Sequence, residues 1–336
     1  MTRREFVSGA GAALAAGLAR GAAQGEPPTK MGIASTSYMT TRRFRDTFEF
    51  LQHCHLEGAA GIQCAINGDL PKIRARAHEL GMYIEAIVGL PKTDDTSAFE
   101  RSAVNAKAVG ARCVRVNAGG RRYEDFSTLA DYRRFAERAK KSISAVVPIC
   151  EKHKIPFALE NHKDWTLEQM VPLLKSYSSE YFGACIDFGN NIALLDNPME
   201  VVEQLAPFAV TTHVKDMGVE PYEDGFLLSE VVLGQGFSDL PRMFSLVRQA
   251  RPETHFNLEM ITRDPLKIPC YTDRYWATFP DRSGLYLART LRLVRDHSVK
   301  GKPLPRVSQL SREELMRVEE ENVKACLRYA RVKLDA

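Results

Sequence analysis

From residue 31 onward, short apolar runs alternate with longer stretches in which apolar side chains recur every third or fourth position. The short runs lie at residues 31–37, 60–66, 83–88, 113–117, 157–160, 182–187, 210–214 and 255–260. They have the length and the β-branched content of buried strands. Between and after them, residues 44–57, 69–80, 97–109, 129–153, 166–177, 198–205, 240–249 and 284–297 carry helical periodicity. Gly81 and Gly110 follow two of these helices, where a left-handed cap is expected, and Thr166 stands at an N-cap position. Pro148 falls late in the long helix 129–153 and reads as a tolerated kink. The eightfold strand–helix alternation predicts an α/β fold, a (β/α)8 TIM barrel forming one domain over residues 30–300. An extra C-terminal helix is predicted at 311–334 within an extension spanning 305–336, opening with the capping box Ser311-Arg-Glu-Glu. It is expected to pack on the barrel or on a second copy, so a homo-oligomer is one possible assembly. Residues 215–237 and 262–283 are longer than ordinary barrel loops and are expected to hang over the mouth as lids or substrate walls.

Polar residues break this pattern at the ends of four strands: Glu160, Asp187, His213 and Glu259. In such a barrel the C-terminal ends of strands share one mouth, so side chains far apart in sequence converge there. Three carboxylates and an imidazole make a hard donor set suited to a divalent cation, with groups able to move protons. Strand side chains alternate faces, so Glu160 and His162 point one way, as do His213 and Lys215. Each residue has a plainer reading. Glu160 could be a loop carboxylate, Asp187 a turn former, His213 a satisfied core histidine and Glu259 a salt-bridge partner. Lys215 could pair with Asp216 or another carboxylate, and His162 could merely support a neighbour. Arg115 reads as structure at the edge of the core. The Asp-Phe-Gly at 187–189 comes without the other kinase motifs.

The first 24 residues change the picture of where this barrel works. Arg3-Arg4 precedes an uncharged, Ala/Gly-rich stretch at 7–19 and small residues at 21–23. This resembles a twin-arginine signal peptide over residues 1–24, predicting export of the folded protein to the periplasm or another extracytoplasmic space. The stretch is too short and too weakly apolar for stable membrane insertion. The remaining composition is ordinary: 26% charged residues and a net charge of +4, with no basic stripe to indicate nucleic-acid binding. Seven cysteines, an odd number without a CxxC pair, read as buried apolar side chains.

Six motifs together carry a resemblance: Gly-Ile-Gln at 61–63, Glu-Asn-His at 160–162, Ile-Asp-Phe-Gly-Asn at 186–190, His-Val-Lys-Asp at 213–216, Gly-Gln-Gly at 234–236 and Leu-Glu-Met at 258–260. The set resembles the xylose-isomerase-like TIM barrels, among them the sugar phosphate isomerase/epimerase family, the ketose 3-epimerases and the inosose dehydratases. The resemblance implies one divalent ion (Mn2+, Mg2+ or Co2+, with Zn2+ another candidate) held by the residues matching Glu160, Asp187, His213 and Glu259. It also implies that the two glutamates exchange the substrate proton. In the ketose epimerases a histidine stands three residues after the aspartate; here that position is Asn190.

The expected activity is that of a metal-dependent isomerase or epimerase of carbohydrates. It works through an enediolate, with proton transfer between Glu160 and Glu259, on a free sugar, cyclitol or keto-sugar. Lys215 and His162 are expected to assist catalysis. The chief rival is a lyase or hydrolase that eliminates the aglycone of a 3-keto-glycoside from the same site. A DNA-repair endonuclease of the same barrel type would need more histidines, and a sugar-binding barrel would have no use for both glutamates.

Overall fold

A computed structural model of the chain describes residues 28–298 and 303–335; the signal-peptide reading of residues 1–24 lies outside them. Eleven strands are described: β1 (Gly32–Ala34), β2 (Gly61–Cys64), β3 (Tyr83–Ile87), β4 (Val114–Val116), β5 (Phe157–Glu160), β6 (Phe182–Asp187), β7 (Ala209–Val214), β8 (Asp216–Tyr222), β9 (Gly225–Val231), β10 (His255–Leu258) and β11 (Leu266–Ile268). Eight of them close a parallel barrel in the order β1-β10-β7-β6-β5-β4-β3-β2. The chain is thus a (β/α)8 TIM barrel, with every barrel strand lying inside or overlapping a predicted run.

Local chemistry explains the helices between them. Asp69 caps Leu70–Leu80 through the Lys72 amide, and Gly81 ends it in the left-handed region at φ 65°. Thr128 caps the long helix Leu129–His153, which runs through Pro148 without ending. Thr166 and Gln169 form a capping box for Leu167–Lys175. The C-terminal helix Arg312–Tyr329 begins with the Ser311–Glu314 capping box and lies on this chain's own barrel. There Glu319 accepts from the Thr40 amide at 3.1 Å, and Arg42 pairs with Glu320 at 2.8 Å. Val323, Cys326 and Leu327 join the barrel core.

The two long segments over the mouth are not simple loops. β8 and β9 form a hairpin, and β11 adds to β9 in antiparallel register, pairing Leu266 with Leu228 and Ile268 with Phe226. The tight Glu223-Asp224-Gly225 connection is a hairpin signal. Gly225 has φ 153°, and a Cβ there would come within 2.2 Å of the Ile268 carbonyl, so only glycine admits β11 at this spot. Phe226, Leu228, Ile268, Tyr275 and Phe279 bury themselves with Ile192 and Leu194 in a second apolar cluster, separate from the barrel core. Arg122 is sandwiched between the rings of Tyr132 and Phe279, its guanidinium 4.0 Å from each centroid, and fastens the second segment to the wall.

Asp216 anchors the base of the hairpin. Its carboxylate accepts backbone N–H groups from Gly234 and Gly236 at 2.9 Å and from Ser238 at 3.1 Å. A Cβ on Gly236 would sit 2.1 Å from that carboxylate. The Gly-Gln-Gly motif therefore wraps a side chain of the protein itself, and its amides are already satisfied. All seven cysteines are buried and unpaired. Among the described residues no helix is long and apolar enough to cross a membrane.

Candidate metal centre

Glu160 ends β5, Asp187 ends β6, His213 lies near the end of β7 and Glu259 follows β10. One donor atom from each comes within 4.8 Å of the others. His213 Nδ1 is the focus: Glu160 Oε1 lies 3.2 Å from it, Glu259 Oε1 3.3 Å and Asp187 Oδ2 3.7 Å. All four side chains are buried. The sequence-predicted quartet is therefore brought together by the strand ends, as the barrel geometry requires.

Each member is held by neighbours that fix its orientation. His213 Nε2 lies 2.5 Å from Gln63 Oε1, an atom that can only accept, so Nε2 carries a proton and Nδ1 is the nitrogen that would present a lone pair to a bound ion. Gln63 in turn donates to Glu85 Oε2 at 3.0 Å, which also accepts from Thr211 at 2.5 Å and Asn257 at 2.9 Å. Asp187 Oδ1 accepts from the amides of Gly189 (2.9 Å) and Asn190 (2.7 Å), while Asn161 grips the Asp187 backbone. Asp187 Oδ2 has no aligned hydrogen bond, although Lys215 Nζ is 2.9 Å away. Glu259 accepts from Thr36 at 2.8 Å and from Lys215 at 2.5 Å.

Charge dominates the energetics here. Burial disfavours a charged His213, yet Cys185, Glu259 and Asp187 outweigh it and raise its pKa to about 9. Burial likewise opposes the Asp187 and Glu259 carboxylates, but Lys215 and His213 hold both below the usual range. Lys215, itself buried, is kept protonated by Asp187 and Glu259. It pairs with those two carboxylates and not with Asp216, which turns away to the hairpin base.

These residues fit a divalent cation. Three hard oxygens and one imidazole nitrogen face a common point, one of the oxygens lacks an aligned partner, and the imidazole tautomer is fixed from behind. Cationic protein groups crowd the same carboxylates, which is how buried negative charge is balanced without an ion.

Three more residues near the quartet have contacts that the sequence alone did not assign. Arg115, read as core-edge structure, forms a buried ion pair with Glu160 Oε2. Its signal was an arginine in the middle of an apolar strand, where a charge needs a partner. His162 does not join the quartet by a hydrogen bond. Its Nδ1 is buried without a partner, and burial with nearby Lys163 and Arg115 lowers its pKa to about 3, so it is neutral. Asn190, standing where ketose epimerases have histidine, donates to Glu160 at 3.2 Å and accepts from Lys215 at 3.4 Å. Gln63 carried a signal as well, a polar residue inside an apolar strand, but no role could be assigned before its partner was known.

The sequence profile of the xylose isomerase-like TIM barrel family matches residues 68–277. A protein of Pectobacterium atrosepticum called 3-oxo-isoapionate decarboxylase is 25% identical over 223 residues, 66% of this chain and 74% of that protein. L-ribulose 3-epimerase superposes with a TM-score of 0.55 at 15% identity, covering 81% of this chain and 99% of the other. The IOLI protein, solved with a bound zinc atom, gives a TM-score of 0.55 at 13% identity, over 80% of this chain and 99% of the other.

Proposed function

The chain belongs to the xylose isomerase-like TIM barrel family, and from that premise we propose that it is a metal-dependent isomerase or epimerase of a free sugar, cyclitol or keto-sugar. The observation that carries the reading is the convergence of Glu160, Asp187 and Glu259 on His213 Nδ1. Those four residues would hold the ion, with Mn2+, Mg2+, Co2+ and Zn2+ as the candidates. When bound, such an ion supplies Lewis acidity toward a carbonyl and a neighbouring hydroxyl oxygen.

The protein's own groups then divide the proton work. Glu160 and Glu259 come from strands separated in the barrel by β6 and β7, so they flank a substrate from two sides. One carboxylate takes the proton from the carbon beside the carbonyl and the other returns one. Return to the opposite face gives epimerisation; return at the adjacent carbon gives isomerisation. Lys215, between Asp187, Glu259 and Asn190, steadies negative charge on the substrate oxygen. His162, neutral and with a free Nδ1, offers a hydrogen bond to a hydroxyl. The Arg3-Arg4 leader supports placing this chemistry outside the cytoplasm, on an unphosphorylated substrate.

A second reading is favoured by the decarboxylase relative. In it the substrate loses either carbon dioxide, the C–C bond beside the carbonyl breaking and a glutamate protonating the carbon left behind, or an aglycone by β-elimination, a glutamate taking the proton beside the carbonyl and the C–O bond at the next carbon breaking to leave an enone. NMR in D2O separates these outcomes, using metal-loaded mature protein with ketoses, aldoses, inososes, 3-keto-glycosides and 3-oxo sugar acids. Exchange of a carbon-bound proton without loss of sugar establishes enolisation and an isomerase or epimerase. Release of aglycone or carbon dioxide moves the assignment to a lyase. No exchange with metal bound, and no product, removes the proposal.

A further inference from the structure

Beyond the metal-ligand quartet lies a second layer of charge that the proposed chemistry does not use. Lys163 follows β5 and is buried, its side chain 4% exposed. Its nearest carboxylate oxygen, Glu124 Oε1, is 3.9 Å away, and among the described residues its amine makes no hydrogen bond. The other charges acting on it are Arg263, Glu230 and Lys215. Glu230 is gripped by Arg263, at 3.1 and 2.5 Å, and forms no ion pair with Lys163. Tyr123, 4% exposed, lies close to Glu124 and Arg263, yet its hydroxyl lacks an aligned hydrogen bond. Burial and the Arg263 charge push the Lys163 amine down to about 8.

Glu124 is already held by Arg121 at 2.7 Å, so it does not balance Lys163. A buried cation with a distant partner is costly unless something charged completes it.

We propose that Lys163 receives a monoanionic group of the substrate, so that the substrate class is a sugar carboxylate rather than a neutral sugar. One loosely held ammonium suits the single charge of a carboxylate; a phosphate dianion would exceed it. The inference rests on the proposed function only in that the same mouth takes the substrate.

The test is calorimetric titration of the Mn2+-loaded protein with three six-carbon probes: D-gluconate, D-glucitol and D-glucitol 6-phosphate. Gluconate is expected to bind about tenfold or more tightly than either other probe, the value of a charge-assisted hydrogen bond. Lys163→Met removes that preference and Lys163→Arg keeps most of it, while both variants melt cooperatively, Lys163→Met at or above the wild-type temperature. Equal affinity for gluconate and glucitol, tighter binding of the phosphate, or no saturable gluconate binding in the millimolar range overturns the proposal. A gluconate preference that survives Lys163→Met also overturns it, since the carboxylate then sits on the metal ion. If the Lys163-dependent preference is found but no sugar exchanges a carbon-bound proton, the proposed function fails and this inference stands.

Discussion

Replacing Gln63 by leucine tests whether the histidine ligand is aimed from behind. Leucine fits the volume but removes two hydrogen bonds at once: the 2.5 Å contact to His213 Nε2 and the 3.0 Å bond to Glu85 Oε2. Glu85 Oε2 keeps Thr211 and Asn257, so its loss is partial. His213 Nε2 keeps no partner, and a buried N–H left bare costs about 1–3 kcal/mol of stability. The imidazole is then free to take its other tautomer, with a proton on the nitrogen that faces the carboxylates. Losing a partner of this kind typically weakens a metal site about 10–100-fold, or about 1.4–2.7 kcal/mol. Competition against a fluorescent chelator for Mn2+ or Co2+ reads that drop directly, and thermal melting of the metal-free protein reads the stability term. Thr211→Val is the control: it also takes a donor from Glu85 but does not touch His213. It should lower stability and leave metal affinity within about threefold. Unchanged affinity in Gln63→Leu would refute the claim that this bond sets the tautomer.

Glu259→Gln should keep the fold by circular dichroism and cut turnover by about 10²–10⁴-fold, the usual range for a general acid–base residue; a near-wild-type rate removes Glu259 from the mechanism. Chelation should lower the melting temperature and added Mn2+ restore it, with about 2.7 kcal/mol expected at a hundredfold excess over Kd; a melting curve indifferent to metal argues against the site. Lys163 has a pKa depressed to about 8 from 10.5, so above pH 8 the unfolded chain holds its proton more tightly than the folded one. Its contribution therefore makes stability rise with pH between about 8 and 10.5, and removes on the order of 3 kcal/mol below that window. Urea melts of wild type and Lys163→Met across pH 7–11 should converge at the alkaline end, with the variant the more stable at pH 7.

The barrel could be read before any coordinates because its signals are local. Apolar runs, helix periodicity, Gly81 and the Ser311–Glu314 box act within a few residues. The convergence of Glu160, Asp187, His213 and Glu259 was legible for a related reason, since parallel strands with one shared mouth turn a sequence position into a spatial one. What escaped depends on partners across the barrel. Arg115 is intelligible only beside Glu160, and Gln63 only beside His213, 150 residues away. Lys215 was read as a partner of Asp216 or of another carboxylate; it stands between the end of β7 and the start of β8, and its partners Asp187 and Glu259 come from other strand ends while Asp216 turns to the hairpin base. The β8–β9 hairpin had a local signal in Glu-Asp-Gly, while its pairing with β11 did not, because antiparallel register across a 34-residue gap leaves no periodic trace.

The sheet over the mouth binds the fates of two distant stretches of chain. Phe226 and Leu228 on β9 are buried only while they stand opposite Ile268 and Leu266. A single residue inserted into either strand would flip that set to the other face. Glu230 and Arg263, which grip each other, also come one from each stretch. A change of substrate preference by descent or by loop grafting must therefore carry residues 216–231 and 262–283 together, as one exchangeable cassette, because either half alone arrives without its other edge.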